Sequence, residues 1–229
     1  MKLAIVGYGK MGRLLDSLAP EYGMETALKL DEFNNADYAG ITREAFEGID
    51  VAIDFSTPEA VVPNVERIAA LGVNMVIGTT GWNEQMDRVK QLTEDHGVGL
   101  VWSPNFSIGV NIFSRVVTEA ARWMAIQPGY EAWAYEIHHS QKKDAPSGTL
   151  LKLTEDMRKA GYQRRIDVAS NRAGAHPGTH EIGFDSAADT IELRHIARSR
   201  EGFARGALAA ARWVVGRKGF HEFSEVLFQ

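Results

Sequence analysis

Lys2-Leu3-Ala4-Ile5-Val6-Gly7-Tyr8-Gly9-Lys10-Met11-Gly12 opens the chain and decides how it folds. An apolar run of strand length leads into a Gly-x-Gly-x-x-Gly turn, and residues 11–22 then follow helical periodicity. Glycines at these spacings let the turn tighten and let backbone approach a pyrophosphate at the helix N-terminus. The pattern alone is weak, since ordinary glycine turns share it. Its place between a strand and a helix strengthens it. Asp31 and Glu32 add a second signal: they follow Lys29-Leu30, and Asp31 stands 19 residues beyond Gly12. Rossmann folds set an acid about 20 residues on, where it bonds ribose hydroxyls. Together these features predict dinucleotide binding through Gly7, Tyr8, Gly9, Lys10, Met11, Gly12, Asp31 and Glu32.

The alternation continues outward from this turn. Residues 26–30, 51–55, 74–77 and 99–102 are short apolar runs that read as buried strands, and 58–71 and 84–96 read as helices. Thr57-Pro58 suits a helix start, and Asn83 is a candidate cap for the next helix. The stretch 34–47 is weakly patterned and supports one short helix or turn. Strand–helix alternation predicts an α/β, Rossmann-like parallel sheet.

After Trp102 the pattern changes. A helix over 109–125 carries Ile112, Val116, Ala120 and Trp123 on one face, and residues 130–139 read as a strand. A helix over 148–160 carries Leu150, Leu153 and Met157 on one stripe. Residues 164–169, 179–184 and 190–197 read as further strands with few helices between them. This is an α+β block with a mostly antiparallel or mixed sheet. A last helix, 202–215, precedes a turn and a short tail. The expected division is residues 1–103 with 216–229 as the dinucleotide-binding domain, and 104–215 as a second domain.

The 229 residues, 45% of them hydrophobic, suffice for one large core or two modest ones. A net charge of -5 disfavours nucleic acid as a partner. Any anionic ligand must be drawn by local cations, for which Lys142, Lys143, Arg194, Arg198 and Arg200 are the candidates. Cysteine is absent, which removes disulfides, thiolate nucleophiles and Cys-ligated zinc. No segment approaches the roughly 20 apolar residues of a membrane span, and the first apolar run is too short for a signal peptide. A cytoplasmic protein with no membrane partner is the expectation.

Two short segments, Asp54-Phe55-Ser56-Thr57-Pro58 and Gly78-Thr79-Thr80-Gly81, fall where strands end and turns begin. Ligands of doubly wound sheets bind at such ends, and small residues there leave room for a flat ring. Plain turn chemistry explains the same residues. In the second half, Glu136-Ile137-His138-His139-Ser140-Gln141-Lys142-Lys143-Asp144-Ala145-Pro146-Ser147-Gly148-Thr149 concentrates groups that donate protons. Ser147 can cap the helix that follows, and the N–H groups of Gly148 and Thr149 can face an anion. Spacing supports a mere capped helix and an anion cradle equally. His138 and His139 are adjacent in a strand, so they point to opposite faces and do not share a metal. His176 and His180 have ligand-like spacing, but Pro177-Gly178 breaks any helix that would present both. No metal site is expected.

Taken in order, Gly7–Arg13, Asp54–Glu59, Val76–Gly81, Asn105–Asn111, Glu136–Thr149, Gly178–Phe184 and Ser199–Ala207 resemble the 4-hydroxy-tetrahydrodipicolinate reductase (dihydrodipicolinate reductase) family of the diaminopimelate and lysine pathway. The resemblance spans nearly the whole chain, and the His-His-x-x-Lys-x-Asp-Ala-Pro-Ser-Gly-Thr string is its most specific part. It implies reduction of a small cyclic dicarboxylate: NADH or NADPH gives a hydride and an enzyme acid gives a proton. By resemblance His138 is the proton donor/acceptor and Lys142 a second proton donor. His139, Ser147, Gly148 and Thr149 hold substrate carboxylate, and Arg200 lies near the substrate. On the cofactor side the strand-end turn offers Ser56, and the resemblance adds Gly78, Thr79, Thr80, Ser103, Pro104, Asn105 and Phe106. It also implies that the second domain binds substrate and assembles a homotetramer.

Two departures bear on the cofactor. The glycine loop is shorter than the commoner form, with Lys10 where arginine is frequent. Asp31-Glu32 has no arginine beside it to take the 2′-phosphate of NADP, so NADH is the expected preference; Lys10 or Lys29 are the cations that would rescue NADPH. The rival readings are a non-catalytic nicotinamide-nucleotide sensor and another two-domain amino-acid dehydrogenase. Aspartate-semialdehyde dehydrogenase is set aside because it needs a cysteine.

Overall fold

The computed structural model describes residues 1–229. In chain order the elements are β1 (Lys2–Val6), α1 (Lys10–Leu18), β2 (Glu25–Leu30), β3 (Val51–Asp54), α2 (Pro58–Ala70), β4 (Asn74–Ile77), α3 (Met86–His96), β5 (Gly99–Trp102), α4 (Ile108–Ala125), β6 (Glu131–His138), α5 (Gly148–Lys159), β7 (Ile166–Arg172), β8 (Thr179–Asp185), β9 (Thr190–Ile196), α6 (Glu201–Val214), β10 (Gly219–Glu222) and α7 (Phe223–Val226). They form two units, Met1–Ile108 with Glu201–Gln229, and Gly109–Arg200. No helix is long and apolar enough to cross a membrane.

The first unit is a six-stranded parallel sheet in the order β10-β5-β4-β3-β1-β2. The inner strands β1, β3, β4 and β5 are apolar at successive positions because both faces are covered. Leu3, Ile5, Val51 and Ile53 pack with Leu15 of α1 and Leu208 of α6. Ala4, Val6, Ala52 and Met75 pack on the other side with Val61, Val65 and Ile68 of α2 and Val89 of α3. The strand order reverses at β1, which leads to β2 on one side and to β3 on the other. That reversal is where an open α/β sheet forms a crevice at its carboxyl ends.

The second unit is a four-stranded mixed sheet in the order β7-β6-β8-β9. β6 and β7 are parallel and joined through α5; β6–β8 and β8–β9 are antiparallel. Its core joins Phe113, Val117 and Ala121 of α4 to Leu150, Leu153 and Met157 of α5, over Ala132, Ala134, Ile182 and Phe184 of the sheet.

Several expectations need correction. The last helix, α6, was expected in the second domain and belongs to the first unit. Its buried face is small side chains, Ala204, Ala207, Ala210 and Ala211 with Leu208 and Val214, and these let it lie close against the parallel sheet. The unit boundary falls between Ile108 and Gly109 rather than at 103–104. The tail contains a strand, β10, that hydropathy does not reveal: all four residues are only partly buried, and pairing with the edge of β5 makes the strand. On α4 the apolar face of Ile112, Val116 and Trp123 is exposed (47, 46 and 61%). The adjacent stripe of Phe113, Val117 and Ala121 is the one that packs. Thr57 stands at the N-cap of α2 without a capping side-chain bond, and Asn83 lies in a short 3-10 turn ahead of α3 rather than at its cap.

Candidate functional site

In the first unit a cavity of about 660 Å³ lies over the carboxyl ends of β1, β2 and β3. Gly7, Tyr8, Gly9, Asp31, Glu32 and Ser56 line it, as does Arg13. Gly7 has φ +89°, and a Cβ there would fall 2.4 Å from the carbonyl oxygen of Phe55. Only glycine therefore lets β1 and β3 turn away side by side. Gly9 has nothing within 4 Å of a hypothetical Cβ, so a ligand can reach its backbone. The donor-rich turn, the helix start and the open floor fit a dinucleotide pyrophosphate.

Asp31 is partly committed already. Its Oδ1 accepts the N–H groups of Phe33 (2.9 Å) and Asn34 (3.1 Å), and its own N–H donates to Asn34 Oδ1. Those bonds fix the turn after β2 and leave Phe33 84% exposed on the cavity lining. Lys29, a candidate to rescue NADPH, is held by Asp16 at 2.7 Å, and Tyr8 donates to the same Asp16 oxygen at 2.5 Å. The cavity's cation is instead Arg13, which the sequence reading passed over.

Ser56 and Thr79 are placed by Asp54, which is buried and accepts from Ser56 N–H (2.8 Å), Ser56 Oγ (2.6 Å), Asn64 Nδ2 (2.8 Å) and Thr79 Oγ1 (2.9 Å). Gly78 abuts the Phe55 ring. Neither Gly78, Thr79 and Thr80 nor Ser103, Pro104, Asn105 and Phe106 line the cavity. Phe106 is a core side chain, 4.9 Å from Phe223 between ring centres, so only its backbone remains for a ligand. Lys10 is exposed, Met11 packs against the core and Gly12 is buried beneath the turn.

In the second unit β6 buries alternate residues, so Glu136 and His138 lie on the same inward face while His139 lies off it. Strand register sets Glu136 opposite His180 of β8 and His138 opposite Arg172 of β7. Glu136 has no exposed surface. Its carboxylate accepts the N–H of Ser147 (2.8 Å), the Ser147 hydroxyl and Arg172 Nη2 (2.9 Å). One of its oxygens lies 3.3 Å from His138 Nδ1 and 3.5 Å from His180 Nε2. Ser147 caps α5 as expected, taking the Leu150 N–H at 3.2 Å. Arg172 also donates to the carbonyl of Asp144, tying the loop after β6 to the same cluster.

Burial works against the charge on Glu136, but bonds from Ser147 and Arg172 outweigh it and hold the carboxyl below its ordinary pKa. Burial lowers the His138 pKa; the Glu136 charge opposes this, and Lys142, Arg172 and His139 add to it. His180, more deeply buried and next to His138, falls to about 4 and is neutral near pH 7. Lys142 Nζ meets Asp144 Oδ1 at 2.8 Å. Asp144 is held below the usual carboxylate range, chiefly by Lys142, with the Gly148 N–H adding to the effect. A carboxylate of this chain thus already faces both the ammonium and the helix start.

Ligand atoms of Glu136, His138 and His180 come within 4.8 Å of one another. Arg172 and Ser147 already occupy the carboxylate, so a cation there would have to displace a guanidinium. Of the other proposed cations, Arg194 is paired with Glu181 at 2.8 Å, and Lys143, Arg198 and Arg200 are exposed. Arg172 joins this cluster with no signal in the sequence, whereas Gly178 and His180 stand in a stretch of the family resemblance without a role expected of them. Gly178 has φ +139°, and a Cβ there would stand 2.9 Å from His138 Nε2. The Pro177-Gly178 pair, read as a helix breaker, was the available signal for it.

Comparison with known proteins gives the family. Residues 1–106 match the model of the dihydrodipicolinate reductase N-terminus and 109–227 that of its C-terminus. The chain belongs to the dihydrodipicolinate reductase family. Two relatives called 4-hydroxy-tetrahydrodipicolinate reductase are similar along their length. One, from Christiangramia forsetii, is 33% identical over 99% of this chain and 98% of its own. Another, from Archaeoglobus fulgidus, is 36% identical over 99% of this chain and 100% of its own. A dipicolinate-bound dihydrodipicolinate reductase from Paenisporosarcina sp. TG-14 shares the fold, with a TM-score of 0.83 over 99% of both chains at 24% identity. As a dihydrodipicolinate reductase family member the chain is an oxidoreductase of diaminopimelate and lysine biosynthesis, and its N-terminal unit is the part that takes a nicotinamide cofactor.

The His180 shift has a testable sign. Its folded pKa, about 4, lies below the ordinary 6.5. The unfolded chain therefore takes up the proton first, and stability present above pH 6.5 is lost as the pH falls toward 4, by up to about 3 kcal/mol. Thermal melts between pH 7 and 4.5 should fall more steeply for the natural chain than for His180→Gln. Parallel curves would show that His180 is not the buried neutral group.

Proposed function

We propose that the second unit binds 4-hydroxy-tetrahydrodipicolinate, a small cyclic dicarboxylate, and that His138 and Lys142 supply its proton. Asp144 carries this reading: its carboxylate already lies against Lys142 Nζ, and the Gly148 N–H helps hold its pKa down. A substrate carboxylate replaces it there, on the backbone N–H groups of Gly148 and Thr149 at the start of α5. Ser147 keeps that start formed by capping it, and His139 and Arg200 complete the carboxylate contacts. Bound in the first unit, the nicotinamide cofactor supplies the hydride.

In its protonated form His138 gives its proton from Nε2, the nitrogen on the side of Gly178 and away from Glu136. The Lys142 ammonium faces Asp144 and then a substrate carboxylate, and serves as the second proton donor after His138. The first unit contributes Gly7 to Gly12 for the pyrophosphate and Asp31 with Glu32 for the adenosine ribose. Ser56, Gly78, Thr79, Thr80 and residues 103–106 form the nicotinamide side. Two adjacent carboxylates repel a 2′-phosphate, so NADH is preferred. A homotetramer is supported by the exposed aliphatic side chains Val168, Ile191 and Ile196 on β7 and β9; a monomeric mass by light scattering would exclude it. A cytoplasmic location accords with this role.

The test follows NADH and NADPH oxidation at about 340 nm with substrate made in situ from pyruvate and aspartate semialdehyde by the preceding synthase. Oxidation should require the synthase and show the lower KM for NADH. A lower KM for NADPH would overturn the cofactor preference. His138→Gln should lower kcat by ~100-fold or more with little change in substrate KM, as expected when a transition-state proton is removed. Lys142→Ala should impair both. A fully active His138→Gln enzyme would refute the assignment of the acid.

A further inference from the structure

We propose that Glu136 is the positioning residue of this site: one buried carboxylate orients the His138 imidazole and anchors the Ser147–Gly148 helix start, so proton donor and carboxylate cradle are fixed together. The inference rests on the function proposed above for His138.

A carboxylate without exposed surface persists only if its lone pairs are satisfied. Arg172 alone would neutralise it, so charge balance does not explain the remaining geometry. Ser147 commits both its N–H and its hydroxyl to Glu136, while its oxygen also caps α5. The loop from His138 to Ser147 is thereby pinned at its far end to the strand that carries His138. The same carboxylate is the group facing His138 Nδ1, a buried nitrogen that has no other hydrogen-bond partner. At 3.3 Å the pair is within hydrogen-bond distance, though not aligned as one. Opposite, Gly178 offers no side chain to Nε2.

An ionised acceptor at Nδ1 selects the Nδ1–H tautomer, leaving the Nε2 lone pair outward. When protonated, the imidazolium gives its Nε2 proton to the substrate; the N–H electron pair stays on nitrogen and the neutral Nδ1–H form remains. Glu136 stays ionised and exchanges no proton, the part an orienting carboxylate takes beside a catalytic histidine. His180 supports this from β8. Its neutral ring fills the space beside Ser147 Oγ (3.3 Å) without adding a charge that would compete for Glu136.

The charged and titratable groups facing His138 are Glu136 on its own strand, His139 and Lys142 after it, Arg172 on β7 and His180 on β8, with His195 on β9 beyond. Among them the Glu136 charge favours imidazolium, and Lys142, which opposes it, is paired with Asp144.

The test is nitrogen NMR of the full chain with ¹⁵N-histidine, His138 assigned by its loss in His138→Gln. In the natural enzyme His138 should be the Nδ1–H tautomer; an Nε2–H tautomer overturns the proposal without recourse to any variant. In Glu136→Gln the His138 titration, and the matching limb of the kcat profile, should move to lower pH because the favouring charge is gone. Its kcat should fall ~10-fold or more, while nucleotide binding by calorimetry stays unchanged. Glu136→Asp, which keeps the charge, should return the limb toward its original position. An unmoved His138 titration in Glu136→Gln would reduce Glu136 to a packing role. Should His138→Gln instead prove active while the tautomer is as stated, the proton assignment fails and the positioning of the ring stands.

Discussion

A carboxylate with no contact with water is costly to bury, and the second unit is arranged around meeting that cost at Glu136. The strand alternation that sends Ala132 and Ala134 into the core sends Glu136 and His138 the same way, so the ion cannot turn outward. It must be met from neighbouring elements, and each one that meets it is fixed in turn. β7 brings Arg172 and the loop to α5 brings Ser147, with the neutral His180 of β8 packed beside Ser147 Oγ. Removing one donor from such a cluster leaves a buried charge unmatched, a penalty larger than the worth of any single bond.

The first unit uses the same device on a smaller scale. Asp54, at the end of β3, is buried and gathers Ser56, Asn64 and Thr79, fixing the turns after β3 and β4. In each unit a buried acid takes hydrogen bonds from neighbouring turns and holds their backbone in place. Gly9 is left open over the cavity, while Asp144 stands against Lys142 and the Gly148 N–H at the helix start. Preorganisation of this kind keeps donors in place before charge develops during reaction.

Much of this was legible in the sequence, for definite reasons. The β1 turn declares itself because a glycine pattern and a distant acid have one joint explanation. The His-His-x-x-Lys string is recognisable because its members are close in sequence. Ser147 was open between cap and cradle, and the structure shows that it caps. What sequence could not supply was pairing across strands. Arg172 and His180 reach Glu136 by register, over separations that no local pattern encodes. Arg13 escaped notice because it lies one turn into α1 and becomes a cavity residue only once the helix is placed. On α4 two apolar stripes lie side by side, and hydropathy does not say which one packs. The alanine-rich α6 reads equally well against either unit.

The central claim is that a dicarboxylate binds at the Glu136-anchored start of α5, beside His138 and Lys142. A crystal structure of this enzyme with NADH and pyridine-2,6-dicarboxylate tests it most directly. The account predicts one carboxylate on the N–H groups of Gly148 and Thr149, with Asp144 displaced from Lys142 and the Glu136–Ser147–Arg172 contacts intact. A dicarboxylate bound away from α5, or bound there only after Glu136 has released Ser147, would contradict it.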